Sequence, residues 1–250
     1  MRRVLVVTAV AAERDAVGAV AGSCAAVPLP GGQELRRAAG LPVALDALAS
    51  GVGPAAAAAG TATALTAAAL AGQPYDLVVS AGIGGGFPPG APLGSVVVAD
   101  AIVAADLGAE TPDGFVPVTE LGFGTVVHRP DPALVRTVAA AAGAVSGPVV
   151  TVSTVTGSAA RAAELAARHS GVLAEAMEGF GVAEAAAAHG VPVLEIRAVS
   201  NAVGPRDRAA WRIGDAFAAL TGAFRTLPGA LTAPAGPAPE PLPHVPEETP

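Results

Sequence analysis

The stretch LAEAMEGFGVAEAAAAHGVPVLEIRAVSNAVGPRD, residues 173–207, predicts a helix followed by a buried strand. Helix-forming residues repeat at helical spacing over residues 177–189, and Gly190 then ends the helix. The β-branched run at 193–199 is typical of a strand that is buried on both faces. We therefore expect this helix–strand unit to be part of an α/β fold.

Polar residues stand at both ends of this unit. Glu178 is expected in the first turn of the helix, where the helix dipole favours a carboxylate. Ser200 and Asn201 are expected just past the carboxyl end of the strand, where open α/β sheets bind ligands. A carboxylate and an amide at one edge of a sheet can hold hydroxyls and a heterocycle. Spacing alone favours the simpler interpretation, in which Glu178 only starts a helix and Asn201 only forms a turn.

The rest of the chain alternates strands with helices, which predicts an α/β fold: a three-layer αβα architecture with a central mixed, partly closed sheet. Further strands are expected at 3–8, 43–49, 75–80, 95–105 and 148–154, and further helices at 13–20, 54–71, 130–143, 159–169 and 208–227. The glycine cluster after the third strand is expected to be a close-approach loop or a tight turn. Residues 106–128 are predicted to form a long irregular loop of functional use.

The domain is expected to span residues 1–227. Beyond it, residues 228–250 are rich in Pro and poor in large apolar side chains, which predicts a disordered tail.

Composition excludes several classes of partner. The net charge of -7 and the absence of a basic run argue against nucleic-acid binding. One cysteine and four scattered histidines give no metal-ligand spacing, so we expect no metal and no cofactor. The apolar N-terminus is too short for a signal peptide, and the Ala-rich run at 55–71 would insert poorly in a bilayer. We therefore expect a cytoplasmic protein with no membrane partner.

Five short segments carry a family resemblance. They are TAVAAE at 8–13, SGVG at 50–53, SAGIGG at 80–85, AMEG at 176–179 and RAVSN at 197–201. Through them, residues 3 to 227 resemble the nucleoside phosphorylase and nucleosidase superfamily, near methylthioadenosine/S-adenosylhomocysteine nucleosidase. Within it, GIGGGF at 82–87, DLGAE at 106–110 and SNAVGPRD at 200–207 are similar to the futalosine hydrolase family.

The resemblance implies that water cleaves an N-glycosidic bond and that hypoxanthine is released from a nucleoside substrate. It implies that Glu13 is the catalytic carboxylate that positions and deprotonates the water. It also implies that Glu178 binds the ribose 2′- and 3′-hydroxyls. The other residues expected to contact the substrate are Met177, Ile83, Gly84, Ser200 and Arg206.

Asn201 departs from the adenine-cleaving relatives, which carry an aspartate at this position. An amide both donates and accepts hydrogen bonds, so it suits the O6 and N7 edge of a 6-oxopurine. The source of the leaving-group proton is left open, with water as one candidate. Arg206 and Arg208 are candidates to meet the benzoate that the resemblance implies for futalosine, but the residues themselves favour the simpler interpretation of surface pairs with Asp207 or Asp215.

Three alternatives stay open at this point. A purine nucleoside phosphorylase of the same fold would need cations to hold phosphate, and Arg36, Arg37 and Arg129 are unplaced. A nucleosidase of the methylthioadenosine/S-adenosylhomocysteine type is the second. A non-catalytic nucleoside-binding protein would need Glu178 but not Glu13. The resemblance further implies a homo-oligomer in which residues 106–128 of a neighbour close the site.

Overall fold

The structure, a computed structural model, describes residues 1–232. Its strands are β1 (Arg3–Thr8), β2 (Ser23–Pro28), β3 (Glu34–Ala39), β4 (Ala44–Ala49), β5 (Leu77–Gly86), β6 (Val96–Ala104), β7 (Gly108–Thr111), β8 (Gly114–Pro117), β9 (Val127–His128), β10 (Val145–Thr151), β11 (Ala174–Ala176) and β12 (Val193–Ala202). Its α-helices are α1 (Ala11–Gly18), α2 (Pro54–Leu70), α3 (Pro132–Ala142), α4 (Ala159–Arg168), α5 (Gly179–Ala188) and α6 (Ile213–Thr232).

Five strands close into a ring. The order β5–β12–β6–β10–β11 returns to β5, with parallel and antiparallel pairs mixed. From β5 the sheet continues outward through β1, β4, β3 and β2. Helices α2 and α5 pack together on one side, while α6 packs with α1 and α3 on the other. This arrangement confirms the predicted three-layer fold with a mixed, partly closed sheet.

Side chains alternate along β12, so that charged residues lie on one face of the sheet and apolar residues lie on the other. Leu194, Ile196 and Ala198 join the apolar core that also contains Phe224 of α6. Glu195 and Arg197 are fully buried on the opposite face. This face lies against the start of α5, so the strand places buried charged side chains beside one end of the helix.

The glycine cluster is a strand, and the loop prediction for it is wrong. Strand β5 runs through Gly86, and the glycines of the cluster do not have positive φ. A Cβ atom on Gly82 would lie 2.6 Å from Oε1 of Glu13, and one on Gly86 would lie 2.2 Å from the Ala91 carbonyl oxygen. A Cβ atom on Gly84 would lie 2.8 Å from the carbonyl oxygen of Glu175 on β11, so the glycines permit close approach between parts of the protein itself, including the β5–β11 contact that closes the ring.

The polar residues of the stretch 173–207 differ slightly from prediction in their position relative to the helix and the strand. Ser200 and Asn201 are inside β12, which ends at Ala202, and a register irregularity falls between Val199 and Asn201. Glu178 is the N-cap of α5, which begins at Gly179, so the helix begins two residues later than predicted. The short strand β11 just before it was not predicted.

Other differences lie at the margins of the sheet. The sequence did not predict the β2–β3 pair, in which most side chains are solvent-exposed and apolar alternation is weak. Residues 106–128 contain the β7–β8 hairpin and the short strand β9 instead of an irregular loop. Helix α6 begins later than predicted and continues through Pro228 to Thr232, so the expected domain boundary at 227 falls inside a helix. The rest of the expected tail, 233–250, lies outside the described residues.

No helix in the described part of the chain is long and apolar enough to cross a membrane.

Candidate active site

Most of the predicted site residues line one cavity of 180 Å³. Its wall is formed by Ala9, Glu13, Ile83, Gly84, Gly85, Val155, Glu175, Ala176, Met177, Glu178, Ser200, Asn201 and Trp211. Seven of the eight predicted residues are in this set, and only Arg206 is not. Two larger surface depressions, of 390 and 620 Å³, contain none of the predicted residues. Segments far apart in the sequence therefore meet at one place on the sheet.

Glu13 is fixed by backbone N–H donors from two places, the loop between β1 and α1 and the strand β5. Its Oε2 accepts hydrogen bonds from the N–H groups of Ala9 at 2.9 Å and Val10 at 3.2 Å. Its Oε1 accepts one from the N–H of Ile83 at 2.9 Å. The side chain is 4% exposed. The carboxylate is therefore held at the cavity wall by the main chain, and its position depends on the close approach of β5.

Arg197 holds the carboxylate of Glu178 in position from the protein interior. Its Nη1 donates to Oε2 of Glu178 at 3.2 Å, while the N–H of Gly53 donates to the other oxygen at 3.2 Å. Arg197 also donates from Nε to Oε1 of Glu195 at 2.9 Å and from Nη2 to Oγ of Ser80 at 3.0 Å. A planar guanidinium held at three of its nitrogens can take only one orientation. Glu178 is thereby positioned before any ligand binds.

Electrostatics set the protonation behaviour of this charge cluster, by which we mean Glu13, Glu178, Glu195 and Arg197. Burial raises the pKa of the Glu13 carboxyl, and nearby Arg197 offsets only part of that rise. Burial likewise raises the pKa of Glu195. Burial acts to lower the pKa of Arg197, but the three surrounding carboxylates prevail and raise it. Arg197 therefore stays charged, while the raised pKa values of Glu13 and Glu195 mean that these two carboxyls take up protons at higher pH than exposed glutamates do.

Ser200 and Asn201 form a local hydrogen-bonded pair at the cavity. The Ser200 hydroxyl lies 2.8 Å from Oδ1 of Asn201 and 3.2 Å from the Gly84 carbonyl oxygen. Nδ2 of Asn201 donates to the carbonyl oxygen of Ala202 at 3.0 Å. The amide oxygen of Asn201 can accept one further hydrogen bond, and its NH₂ group can donate one more. Asn201 can therefore present both a donor and an acceptor to a ligand.

Arg206 lies at the rim of the site rather than in the cavity wall. Its guanidinium carbon is 5.6 Å from the ring centre of Trp211, and that of Arg208 is 5.8 Å from the same ring. The Trp211 ring lines the cavity and also a smaller neighbouring pocket that shares Asn201. Within residues 1–232, neither arginine pairs with a carboxylate, because Asp207 caps a helical turn and Asp215 lies near Arg212. The expected surface ion pairs are therefore not found.

Four functional candidates were not predicted from the sequence: Glu175, Glu195, the side chain of Arg197, and Trp211. Glu195 and Arg197 are two residues apart among the apolar residues of the run at 193–199, and this spacing was the available signal that both face one side. Glu175 gave no signal, because the three-residue strand that carries it is too short to show a period. Trp211 was expected on the closing helix, but it precedes α6.

Across the described residues, no group of three or more His, Cys, Asp and Glu side chains could hold a metal ion.

Comparison with known proteins places this geometry in a family. The family model of the phosphorylase superfamily matches residues 39–225. A futalosine hydrolase of Streptomyces coelicolor is 68% identical over 229 residues, which cover 89% of this chain and 94% of the relative. A futalosine hydrolase of Acidothermus cellulolyticus is 47% identical over 229 residues, with 89% of each chain covered.

Solved structures agree in fold. The methylthioadenosine/S-adenosylhomocysteine nucleosidase of Colwellia psychrerythraea, in complex with adenine, superposes with a TM-score of 0.79 at 20% identity, covering 92% of this chain and 96% of the other. The nucleosidase of the same name from Neisseria meningitidis gives 0.77 at 21% identity, covering 91% and 98%. At these identities the likeness establishes the fold alone. With the sequence matches, it shows that the chain belongs to the phosphorylase superfamily and, within it, to the futalosine hydrolase family.

Proposed function

We propose that this protein hydrolyses the N-glycosidic bond of futalosine, releasing hypoxanthine and dehypoxanthine futalosine in the futalosine route of menaquinone biosynthesis. The relatives above, which are futalosine hydrolases, support this substrate. The observation that carries the proposal is the chemistry of the cavity wall. Glu13, Glu175 and Glu178 line it, and among its described lining residues none is basic. Such a wall suits water as the nucleophile.

The same observation disfavours a phosphorylase. Phosphate carries negative charge at neutral pH and would need cationic donors where the wall has carboxylates. Arg36 and Arg37 lie on β3, paired with Glu34 and Asp46, and are not part of the wall. Arg129 is also absent from the wall. Water needs only a base to activate it, and a buried carboxylate can be that base.

Glu13 is proposed as the general base. Three backbone N–H groups fix its carboxylate, and its raised pKa makes it a stronger base than an exposed glutamate. It would hold a water against the anomeric carbon and accept a proton as the C–O bond forms. General-base assistance of this kind contributes about 10²- to 10⁴-fold to rate.

Glu178 is proposed to bind the ribose. Hydroxyls at the 2′ and 3′ positions are donors, and the carboxylate oxygens of Glu178 are acceptors that Arg197 and Gly53 already orient. Positive charge develops on the ribose ring as the glycosidic bond lengthens, so a fixed negative charge beside it stabilises the transition state more than the ground state.

Asn201 is proposed to select the base. Its NH₂ group would donate to O6 of hypoxanthine, and its carbonyl would accept from N7 once that atom is protonated. An amide does not supply the proton itself at neutral pH, so we assign that role to a water at the open side of the cavity. Ser200 would keep the amide in the required orientation through its 2.8 Å contact.

The rim is proposed to receive the benzoate end of the substrate. Arg206 and Arg208 flank Trp211, so an aromatic carboxylate placed against this ring would meet one or both guanidinium groups. Met177, Ile83 and Gly84 would contribute the remaining contacts along the cavity.

We further propose that the active form is a cytoplasmic homo-oligomer. Leu107, Leu121 and Phe123 are exposed in the segment between β6 and α3, and Phe123 is 63% exposed. Large exposed apolar side chains in one segment are typical of a surface that a partner covers. Light scattering of the purified protein would measure its mass, and a strictly monomeric active enzyme would contradict this part of the proposal.

The substrate is tested by incubating the protein with futalosine, inosine and methylthioadenosine and identifying the base released from each. We expect hypoxanthine from futalosine at the highest kcat/KM. Adenine released from methylthioadenosine at a higher kcat/KM would contradict the proposed substrate and favour the related nucleosidase activity.

A further inference from the structure

Glu175 is a buried carboxylate in the cavity wall to which the mechanism above gives no role. It is 4% exposed and lies in the middle of β11. Its Oε1 accepts a hydrogen bond from the N–H of Thr156 at 2.9 Å, and its Oε2 accepts one from the Thr156 hydroxyl. Both oxygens therefore face donors, which is the arrangement that suits an acceptor carboxylate.

The charge of Glu175 is compensated mainly by hydrogen bonds, and Arg161 lowers its pKa only from beyond ion-pair distance. Among the described residues, no Arg or His side chain makes an ion pair with it. Burial raises its pKa, and the two hydrogen bonds from Thr156 oppose this rise. Burying an unpaired charge is costly unless hydrogen bonds compensate it. A further N–H donor from a ligand in the cavity would complete the set.

The sheet register places Glu175 beside the proposed base-selecting amide. Gly85 pairs with Glu175 of β11 on one side and with Asn201 of β12 on the other. Residues opposite one another in adjacent strands share a face, so both side chains flank Gly85 in the same cavity wall. Their backbones are roughly 10 Å apart, twice the spacing of neighbouring strands. A Cβ atom on Gly85 would lie 2.8 Å from a methyl carbon of Val203 and 3.3 Å from Nδ2 of Asn201, so the missing side chain makes room for the Asn201 amide on this face.

We infer that Glu175 is a specificity-determining residue that accepts a hydrogen bond from the N1–H of a 6-oxopurine while Asn201 contacts its O6 and N7 edge. This inference rests on the proposed release of hypoxanthine. A 6-aminopurine carries an unprotonated N1 with a lone pair, which would oppose the carboxylate. Glu175 and Asn201 thus read neighbouring positions of one base, and each is matched to the 6-oxo form.

The test compares futalosine with its 6-amino analogue as substrates of the wild type, Glu175→Gln and Glu164→Gln. Glu164 is an exposed glutamate of α4 outside the cavity, so its variant is the matched control. Glutamine keeps the size of glutamate but can donate to the N1 lone pair. In Glu175→Gln we expect the ratio of kcat/KM for the 6-oxo to the 6-amino substrate to fall by about 10-fold or more. In Glu164→Gln the ratio should be unchanged.

A uniform loss on both substrates by Glu175→Gln, with the ratio kept, would show a merely structural role and overturn the inference. If this variant does not fold, titration of the wild type with free bases decides. We expect hypoxanthine to bind about 10-fold or more tightly than 1-methylhypoxanthine, which lacks the N1 proton, and equal affinities would overturn the inference. Failure of the proposed function itself looks different, because the wild type would then release no base from futalosine.

Discussion

The charge cluster behind the cavity and the arginine-bearing rim beyond it are both charged, yet they are built in opposite ways. In the cluster, Arg197 is fully buried and hydrogen-bonded to residues of β5, β12 and the start of α5. At the rim, Arg206 and Arg208 are exposed, their guanidinium groups lie near the Trp211 ring, and neither makes an ion pair with a described residue. The first arrangement is fixed by folding. The second gains a carboxylate partner only if the substrate supplies one.

This contrast explains which residues are expected to affect stability and which only substrate binding. A buried guanidinium that serves two carboxylates cannot be removed without leaving them unpaired in the interior. An exposed guanidinium can be removed with little effect on folding, since water replaces its contacts. The two regions should therefore respond differently to the same substitution.

The largest expected difference is between Arg197→Met and Arg206→Met. Removing Arg197 leaves Glu178 and Glu195 buried without their cation, so we expect the free energy of unfolding to fall by about 3–5 kcal/mol. Arg206→Met should stay within about 0.5 kcal/mol of the wild type. Denaturant unfolding measures both. Equal stabilities of the two variants would remove the distinction between the regions.

Glu13→Gln tests the chemical role of the cluster. We expect kcat to fall by about 10²- to 10⁴-fold, because glutamine cannot accept the proton of the water. The variant should also lose about 1–3 kcal/mol of unfolding free energy, because its NH₂ group replaces an oxygen that accepts a backbone hydrogen bond and leaves a buried N–H without an acceptor. Glu164→Gln is again the control. A variant with near wild-type kcat would show that Glu13 is not the base.

The pH dependence of the wild type gives a second reading of Glu13. The base must be ionised, so activity is lost as the pH falls through its pKa. Burial raises that pKa above 4.5, and the acidic limb of kcat/KM should therefore lie at higher pH than for an exposed glutamate. A limb at the ordinary glutamate value would contradict the burial argument.

Asn201→Asp lies between the two regions and should alter preference more than rate. An ionised aspartate at this position would place its acceptor oxygen against the acceptor O6, whereas a protonated aspartate could donate to N7 of a 6-aminopurine. We expect the preference for 6-oxo over 6-amino purine nucleosides to fall by about 10-fold or more. Release of hypoxanthine and adenine from matched substrates measures it, and an unchanged ratio would contradict the role.

The smallest expected effects are at the rim. Arg206→Ala and Arg208→Ala should raise KM for futalosine by about 5- to 10-fold, as expected for loss of a partly exposed charge-assisted contact, and leave KM for inosine unchanged. Inosine is the control because it carries no benzoate. Equal effects on the two substrates would remove the assignment of the rim to the carboxylate.

The same contrast shows what the sequence could and could not predict. Glu13 and Glu178 could be assigned because short motifs carry them and because carboxylates are conspicuous in an Ala- and Val-rich chain. The alternation of strands and helices was sufficient for the layer architecture. These features depend on local pattern, which the sequence records directly.

The rest depends on contacts between distant segments. The glycines of β5 were expected to form a close-approach loop or a tight turn, since a local pattern does not reveal that Glu13 and Arg197 occupy the space that a side chain on Gly82 would need. Glu175 joins the site only because β11 pairs with β5 and closes the ring. Ring closure is a long-range property, so neither the strand nor its buried carboxylate could be predicted from spacing.

The central claim is that a carboxylate-lined cavity activates water and not phosphate. The most direct measurement is the initial rate of hypoxanthine release from futalosine as phosphate is raised from none to saturating levels, with the sugar product identified. We predict a rate that does not depend on phosphate and a product with a free anomeric hydroxyl. A rate that requires phosphate, together with a sugar 1-phosphate as product, would contradict the account.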